Sequence, residues 1–337
     1  MAKYYLEHFS QGDKTNPKFD ILINEIHQTH YRQVSKRETL KFISDNFSVD
    51  FAAILFADYL LKHESNKRFQ SHFDDVLSKI KYQLKSENLY YCADYSNYFF
   101  LFVPGWFYKS DPWTGAALAR QRRIVNQLGI DHSLVEIDEN ATIEENAKVV
   151  AESIIQYGQA AKKTILVSVS KASAEVALAI GQLLDSEQTR GIAAWINIGG
   201  LLRGTPVADS AMRWPKRWLA KTYFLFKGWD FASVVSMTTQ RSRVRWEQLK
   251  IPRHMLTINY IGIPLSGDVT VLARDRYMKM RKHGPNDGLT LIADAIAPNS
   301  VTLAQMGLDH FFLDPEIDIK AMALIRTLIH YLGACRT

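Results

Sequence analysis

One serine of the chain lies where a β-strand is predicted to turn directly into an α-helix. Residues 164–169 are mostly apolar or β-branched, Ser170 follows them, and an alanine-rich helical stretch begins at Lys171. Such a turn requires small residues two positions before and after the serine, because it is strained and brings the strand close to the helix. Ser168 and Ala172 are small, although neither is glycine. The pattern predicts that Ser170 is a nucleophile at the end of a strand, and that the backbone N–H of Lys171 can bind an oxyanion.

The same residues have a second interpretation. Small residues are common where strands meet helices in any α/β protein, and Ser168 or Ser173 could cap the helix. A serine hydroxyl becomes a nucleophile only when a base takes its proton and a third group orients that base. The residues that could partner the serine therefore decide between the two interpretations.

An aspartate and a histidine that could complete this chemistry follow the serine in the chain. Asp287 lies in a Pro-Asn-Asp-Gly sequence, where an aspartate commonly serves the turn itself, and Asn286 could close that turn or contact a substrate. His310 is one of ten histidines, and a single histidine is more often a surface or core residue. Asp309 is a rival acid, but a residue adjacent to His310 is poorly placed to approach its ring. These alternatives remain open when each residue is considered alone.

Three stretches of the sequence resemble the α/β-hydrolase family, and within it the lipases and esterases. Val167 to Ser173 is similar to the family's V-G-H-S-x-G-G, with Val169 where histidine is frequent. The stretch from Ile196 to Asp209 contains Gly-Thr-Pro and is similar to a shortened G-T-P-x-x-G-S-x-x-A-D. Gly284 to Leu289 resembles the D-G-x-V loop of the triad acid, and it is followed by Gly307 to His310, which resembles G-x-x-H. The resemblance covers roughly residues 90–337.

The resemblance implies a site and an activity. The order Ser170, Asp287, His310 is that of the family, so His310 is expected to be the general base and Asp287 to orient its ring. The backbone N–H groups of Lys171 and Trp106 are expected to form the oxyanion hole. The implied enzyme is a lipase- or esterase-like carboxylic ester hydrolase that forms an acyl-serine intermediate and needs no metal or cofactor. The alternative is a catalytically inactive, hydrolase-like binding or scaffold protein.

The elements that must position these residues are predicted from the hydrophobic pattern. From about residue 89 onward, buried strand-like runs such as residues 98–103 alternate with helical stretches, which is typical of a mostly parallel central sheet flanked by helices. Before that point the sequence indicates three or four amphipathic helices, one of them opening with a capping box at residues 35–38. We predict an α/β-hydrolase fold at residues 89–337, preceded by a helical N-terminal extension at residues 1–88.

A helical lid is predicted at about residues 207–250. Residues 206–250 contain nine basic and three acidic residues, and so carry the whole net charge of +6. Four residues would share one face of a helix that has Pro215 in its first turn: Trp214, Trp218, Leu225 and Trp229. One interpretation is that this apolar side packs over the hydrolase body. A further one is that it lines an acyl pocket, while the neighbouring lysines and arginines meet an anionic surface or substrate.

Composition and charge restrict the remaining possibilities. Hydrophobic residues make up 47% and charged residues 23% of the chain, as in globular proteins. The sequence has no apolar run of about 18 residues, no signal-peptide pattern at its start, and only two cysteines, Cys92 and Cys335. We therefore expect a cytoplasmic protein. The concentrated basic charge argues against general nucleic-acid binding. The expected partners are a small ester or lipid-like substrate, with an anionic membrane at the lid and a protein at the N-terminal helices as candidates.

Overall fold

A parallel β-sheet lies at the centre of the molecule, whose computed structural model describes residues 1–86, 95–158 and 162–334. Its strands are β1 (Tyr98–Val103), β2 (Asp131–Leu134), β3 (Lys163–Val169), β4 (Ile192–Ile198), β5 (Leu256–Ile263) and β6 (Ser300–Met306). Their spatial order is β2-β1-β3-β4-β5-β6, and every neighbouring pair is parallel. The predicted α/β class is confirmed.

Helices cover both faces of this sheet and connect its strands. Before β1 lie α1 (Ala2–Glu7), α2 (Pro17–Thr29), α3 (Arg37–Asn46), α4 (Val49–Lys62) and α5 (Glu64–Ser86). Between β1 and β4 lie α6 (Ala119–Gln127), α7 (Ile143–Gly158), α8 (Lys171–Leu178) and α9 (Ser186–Thr189). Between β4 and β5 lie α10 (Pro206–Ala211), α11 (Lys216–Phe226), α12 (Ala232–Ser236) and α13 (Thr239–Gln248). The remaining helices are α14 (Val271–Met280) and α15 (Ile317–Ala334).

The apolar runs of the sequence are strands that are buried on both faces. In β1, Phe100 and Phe102 belong to one hydrophobic cluster, while Leu101 and Val103 belong to another on the opposite face. This division follows from the two-residue repeat of a β-strand, which sends successive side chains to opposite faces. A sheet covered in this way by helices brings the carboxyl ends of its strands to one edge, where the loops carry functional groups.

The N-terminal helices share a hydrophobic core with one end of the sheet. Buried residues of α1 to α4 form a cluster with Ile261 and Ile263 of β5 and Ala304 of β6. Two side chains of α5 also accept backbone hydrogen bonds from β6: Asn66 from Thr302 N at 2.8 Å, and Gln70 from Ala304 N at 3.2 Å. The predicted boundary at residues 88 and 89, and both cysteines, Cys92 and Cys335, lie outside the described residues.

The predicted capping box at residues 35–38 is wrong. Helix α3 begins at Arg37, and its N-cap is Lys36, which makes no side-chain capping bond. The backbone N–H of Lys36 donates to the carbonyl of Gln33 at 2.8 Å, so the serine before it is held in the preceding turn. The helix therefore starts one residue later than the Ser-x-x-Glu pattern indicates.

The segment between β4 and β5 is helical, but the apolar face predicted there is wrong. Helix α11 begins after Pro215 and ends before Gly228, whose φ of 69° is left-handed. Trp214 and Trp229 therefore lie outside the helix that was expected to align them. Trp218 is 65% exposed, so it does not pack on the body of the protein. The buried residue of α11 is Phe224 instead.

Two negative findings apply to the part of the chain that the structure describes. None of its helices has the length and apolar character needed to span a bilayer. It also holds no group of three or more histidine, cysteine, aspartate and glutamate side chains arranged for a metal ion.

Candidate active site

Ser170 occupies a strained turn between β3 and α8. Its backbone has φ 56° and ψ −122°, a conformation that is costly for a residue with a Cβ atom. Neighbouring backbone holds it there, because Ser170 N donates to the carbonyl of Ile198 at 2.9 Å, and Leu201 N donates to the carbonyl of Ser170 at 3.0 Å. The end of β4 and the loop after it therefore stabilise the turn predicted from the sequence.

The space under this turn is filled by small buried side chains. Ser168 and Ser173 are fully buried, and their hydroxyl oxygens lie 2.9 Å apart. The indole N–H of Trp195 donates to Ser168 Oγ at 2.8 Å. Ala172 is also fully buried. Neither serine caps α8, so the capping interpretation is wrong, and the two residues that replace glycine fit beneath the turn.

The ring of His310 lies between Ser170 and Asp287. His310 Nε2 is 3.0 Å from Ser170 Oγ, and His310 Nδ1 is 2.8 Å from Asp287 Oδ2. His310 is 7% exposed and Asp287 is 3% exposed. In the tautomer that carries its proton on Nδ1, the ring donates to the carboxylate and accepts from the serine hydroxyl. The three residues that the sequence predicts to act together are thus in hydrogen-bond contact.

Asp287 belongs to a turn whose hydrogen bonds fix its carboxylate. Its Oδ1 accepts from Leu289 N at 2.9 Å and from Thr290 N at 2.6 Å, which leaves Oδ2 for the histidine. The side chain of Asn286 closes the same turn by accepting from Gly288 N at 3.0 Å. Of the two roles considered for Asn286, the structure places it in the turn.

The loop after β6 holds His310 and gives Asp309 a structural position. Asp309 Oδ2 accepts from Thr270 N at 2.8 Å and from Thr270 Oγ1 at 2.6 Å, and its Oδ1 accepts from Phe311 N at 3.0 Å. Its carboxylate therefore secures the loop and does not bind the ring. His310 N also donates to the backbone carbonyl of Asp287 at 2.9 Å, which ties the two loops together.

The backbone N–H groups of Lys171 and Trp106, which the sequence predicts to bind an oxyanion, donate to no acceptor within the described residues. Lys171 is the first residue of α8, so its N–H has no acceptor within the helix. Trp106 follows Gly105, which lies so close to the turn that a Cβ added to it would be 3.3 Å from the carbonyl oxygen of Val169. Within the described residues, Trp106 N donates to no backbone or side-chain acceptor. Trp106 and Ser170 also line the same cavity.

A buried ion pair directly behind the serine was not predicted from the sequence. Lys171 is 2% exposed and Glu175 is fully buried, and Lys171 Nζ lies 2.5 Å from Glu175 Oε1. Asn146 of α7 donates to the same oxygen at 3.0 Å. Burial raises the pKa of the Glu175 carboxyl, and the ammonium of Lys171 opposes this rise. The spacing of four residues along a helix was the available sequence signal.

The Ser170 hydroxyl opens into a cavity of about 760 Å³. Its walls are mainly apolar and include Trp106, Phe107, Ile198, Val207, Leu289 and Phe312. Tyr260 lies in the same wall, where its buried hydroxyl has no partner among the described residues. Of residues 207–250, all of them described, Val207 alone lines the cavity. The interpretation in which the tryptophans of this segment form an acyl pocket is therefore wrong.

Solved structures similar to this chain include esterases and lipases. A metagenomic carboxyl esterase has a TM-score of 0.56 at 17% identity, over 72% of this chain and 77% of its own. The mature lipase of Bacillus licheniformis has a TM-score of 0.55 at 19% identity, over 72% of this chain and 94% of its own. EstA of Clostridium botulinum has a TM-score of 0.51 at 10% identity, over 77% of this chain and 96% of its own. Neither a protein-family model nor a curated protein matches the sequence.

Proposed function

Because this chain has the α/β-hydrolase fold, we propose that it is a serine hydrolase that cleaves a carboxylic ester. The observation that carries the proposal is the position of the His310 ring, 3.0 Å from Ser170 Oγ and 2.8 Å from Asp287 Oδ2. This is the arrangement that a nucleophile, a general base and an orienting acid require. The strained backbone of Ser170 supports the same assignment.

The proposed reaction has two steps through an acyl-serine. Ser170 Oγ attacks the ester carbon while His310 Nε2 takes its proton, and Asp287 stabilises the resulting imidazolium. The N–H groups of Lys171 and Trp106 bind the oxyanion of the tetrahedral intermediate. His310 then protonates the departing alkoxide. In the second step His310 takes a proton from water, whose oxygen attacks the acyl group, and the carboxylic acid leaves as Ser170 regains its proton.

The cavity supports an ester with an apolar acyl part, such as a lipid-like substrate. Its volume of about 760 Å³ is within the usual range for small-molecule sites, and its walls are mostly apolar. The indole of Trp106 lies in this wall and stacks on Phe224 of α11, with ring centroids 6.3 Å apart. Residues 207–250 would therefore act as a lid through contact with this wall. The domain division at residues 88 and 89 and the cytoplasmic location remain predictions.

Labelling with a fluorophosphonate probe tests the proposal. The wild-type protein should be labelled, because the probe reacts with a serine whose proton is taken by a base. Ser170→Ala should abolish labelling, and Ser173→Ala should retain it, because Ser173 is fully buried and its hydroxyl contacts Ser168. Ser168→Ala is a second control of the same kind. A well-folded wild type that takes up no label would reject the proposal and favour the inactive binding or scaffold protein.

A further inference from the structure

The outer side of α11, together with Trp214 just before the helix, exposes an unusually apolar surface. We call this the α11 surface, and its six large apolar or aromatic side chains are between 53% and 88% exposed: Trp214, Trp218, Leu219, Tyr223, Leu225 and Phe226. Single exposed apolar residues are common on soluble proteins, whereas a cluster of them marks an interaction site. These six side chains lie within one short stretch of the chain, so we interpret the α11 surface as a binding site for another molecule or a membrane.

Basic residues are interleaved with the apolar side chains of the α11 surface. They are Arg213, Lys216, Arg217, Lys221 and Lys227. Residues 210–229 contain no aspartate or glutamate, and within the described chain none of these five forms an ion pair. Several exposed lysines elsewhere do pair along their own helix, as Lys79 does with Asp75 at 2.7 Å. The five charges are thus available to an anionic partner.

The inner side of α11 is already attached to the body of the protein. Phe224 is 8% exposed and contacts Phe231 edge-on, with ring centroids 5.5 Å apart. It also stacks on Trp106, which lines the cavity next to the candidate nucleophile. The outer side is therefore presented while the helix remains packed and the cavity remains formed. No rearrangement is needed to expose it.

We propose that the α11 surface binds the surface of an anionic lipid bilayer. Its aromatic and leucine side chains enter the boundary between headgroups and acyl chains, and its lysines and arginines contact the lipid phosphates. A second copy of this chain is a poorer occupant, because it would bring five cations against five. Binding of this kind requires no turnover, so it goes beyond the proposed hydrolase activity. It also brings the wall of the candidate active site close to the membrane.

Vesicle sedimentation with the full chain tests the proposal. The protein should sediment with phosphatidylcholine vesicles that contain phosphatidylglycerol, and much less with phosphatidylcholine alone. Added salt should weaken the binding, because the charges are exposed. Trp218→Ser combined with Phe226→Ser should abolish most of it. Each of Lys216→Gln, Arg217→Gln and Lys221→Gln should reduce the affinity about fivefold, the equivalent of about 1 kcal/mol per basic residue.

Matched controls separate the α11 surface from exposed apolar residues in general. Ile21 of α2 and Tyr82 of α5 are 67% and 72% exposed, and Ile21→Ser combined with Tyr82→Ser should bind vesicles as the wild type does. Circular dichroism and melting temperature establish that each variant is folded. A wild type that stays in solution overturns the proposal, as do α11 variants that bind normally.

The Ser170→Ala variant distinguishes this proposal from the proposed hydrolase activity. It should sediment with the anionic vesicles to the same extent as the wild type, although it takes up no fluorophosphonate. Vesicle binding by a wild type that is not labelled would overturn the hydrolase proposal alone. Labelling of a wild type that does not bind vesicles would overturn membrane binding alone.

Discussion

Asp287 divides its two carboxylate oxygens between two tasks. Oδ1 accepts the backbone N–H groups of its own turn, and Oδ2 faces the ring of His310. Turn formation and orientation of the histidine are therefore compatible at one residue, although the sequence makes them look like alternatives. A carboxylate fixed by backbone donors has little rotational freedom to lose when the neighbouring ring becomes charged.

Lys171 also combines two features, because its backbone N–H is a candidate oxyanion donor while its side chain is buried with Glu175. We predict that Lys171→Met lowers the free energy of unfolding by about 3–5 kcal/mol, since it leaves a buried carboxylate without its counter-charge. Adding Glu175→Gln should restore most of that loss. In the double variant the amide oxygen can still accept the hydrogen bond from Asn146 that Glu175 Oε1 accepts in the wild type. Urea unfolding of the two single variants and the double variant measures the coupling.

Additive losses in this double-mutant cycle would contradict the prediction. A strong coupling between the two sites is expected only if the ammonium and the carboxylate are in contact in the folded protein. Their burial makes that contact energetically important, because neither group can be hydrated in its place.

At the scale of the secondary-structure elements, β5 and the loop after β6 lie very close together at Gly262. A Cβ added to Gly262 would lie 2.3 Å from the carbonyl oxygen of Leu308, two residues before His310. Because the contacting atom belongs to the backbone of the loop, no side-chain rotation can relieve this clash. The position of the histidine loop therefore depends on the absence of a side chain in the neighbouring strand.

We predict that Gly262→Ala displaces this loop and reduces kcat/KM on a soluble ester by about 100-fold, which is the cost of misplacing a reacting group by about 1 Å. Gly267→Ala is the matched control, since a Cβ at Gly267 would meet no atom within 4 Å. The rate of fluorophosphonate labelling should fall in parallel with kcat/KM. Equal activity of the two variants, both shown to be folded, would exclude this role for Gly262.

The elements that could be predicted from sequence are those in which one local rule decides the structure. Buried strands such as β1 have a continuous apolar run, and the turn at Ser170 has small residues at the required positions. The failures occurred where tertiary context decides. Trp214 and Trp229 have the spacing of a helical face, but α11 ends before Gly228 and buries Phe224 instead. The partnership of Lys171 with Glu175 follows from burial, which a single sequence does not reveal.

For the whole molecule, a buried carboxylate joins the N-terminal helices to the loops of the sheet. Asp294 is 1% exposed, and its Oδ2 lies 3.6 Å from Arg37 Nη2 of α3. Burial raises the pKa of Asp294 from 3.8 to about 6, and the nearby guanidinium of Arg37 limits the rise. The folded protein therefore holds this proton more tightly than the unfolded chain does. As pH increases from about 4 to about 6, the carboxyl group of Asp294 ionises more readily in the unfolded chain than in the folded protein. The free energy of unfolding therefore falls over this range.

We predict that Asp294→Asn removes this part of the pH dependence. Relative to the variant, the wild type should lose about 2 kcal/mol of unfolding free energy between pH 4 and pH 7, and the difference should be constant above pH 7. Urea unfolding at several pH values measures it. Asp318→Asn is the control, because hydrogen bonding to Arg120 lowers the pKa of Asp318 below 3.8, so its contribution changes below pH 4. Parallel profiles for wild type and Asp294→Asn would rule out the predicted linkage.

The two amide side chains of α5 that bind β6 have a consequence for self-association. Four residues along a helix rise about 6 Å, and two residues along a strand rise about 7 Å, so Asn66 and Gln70 can match alternate backbone donors at Thr302 and Ala304. At an exposed edge of a sheet, such donors would pair with a strand of another molecule and initiate fibril-like polymers. Here an α-helix takes the place of a seventh strand. By covering β6, α5 thus hinders polymer formation through this edge of the sheet.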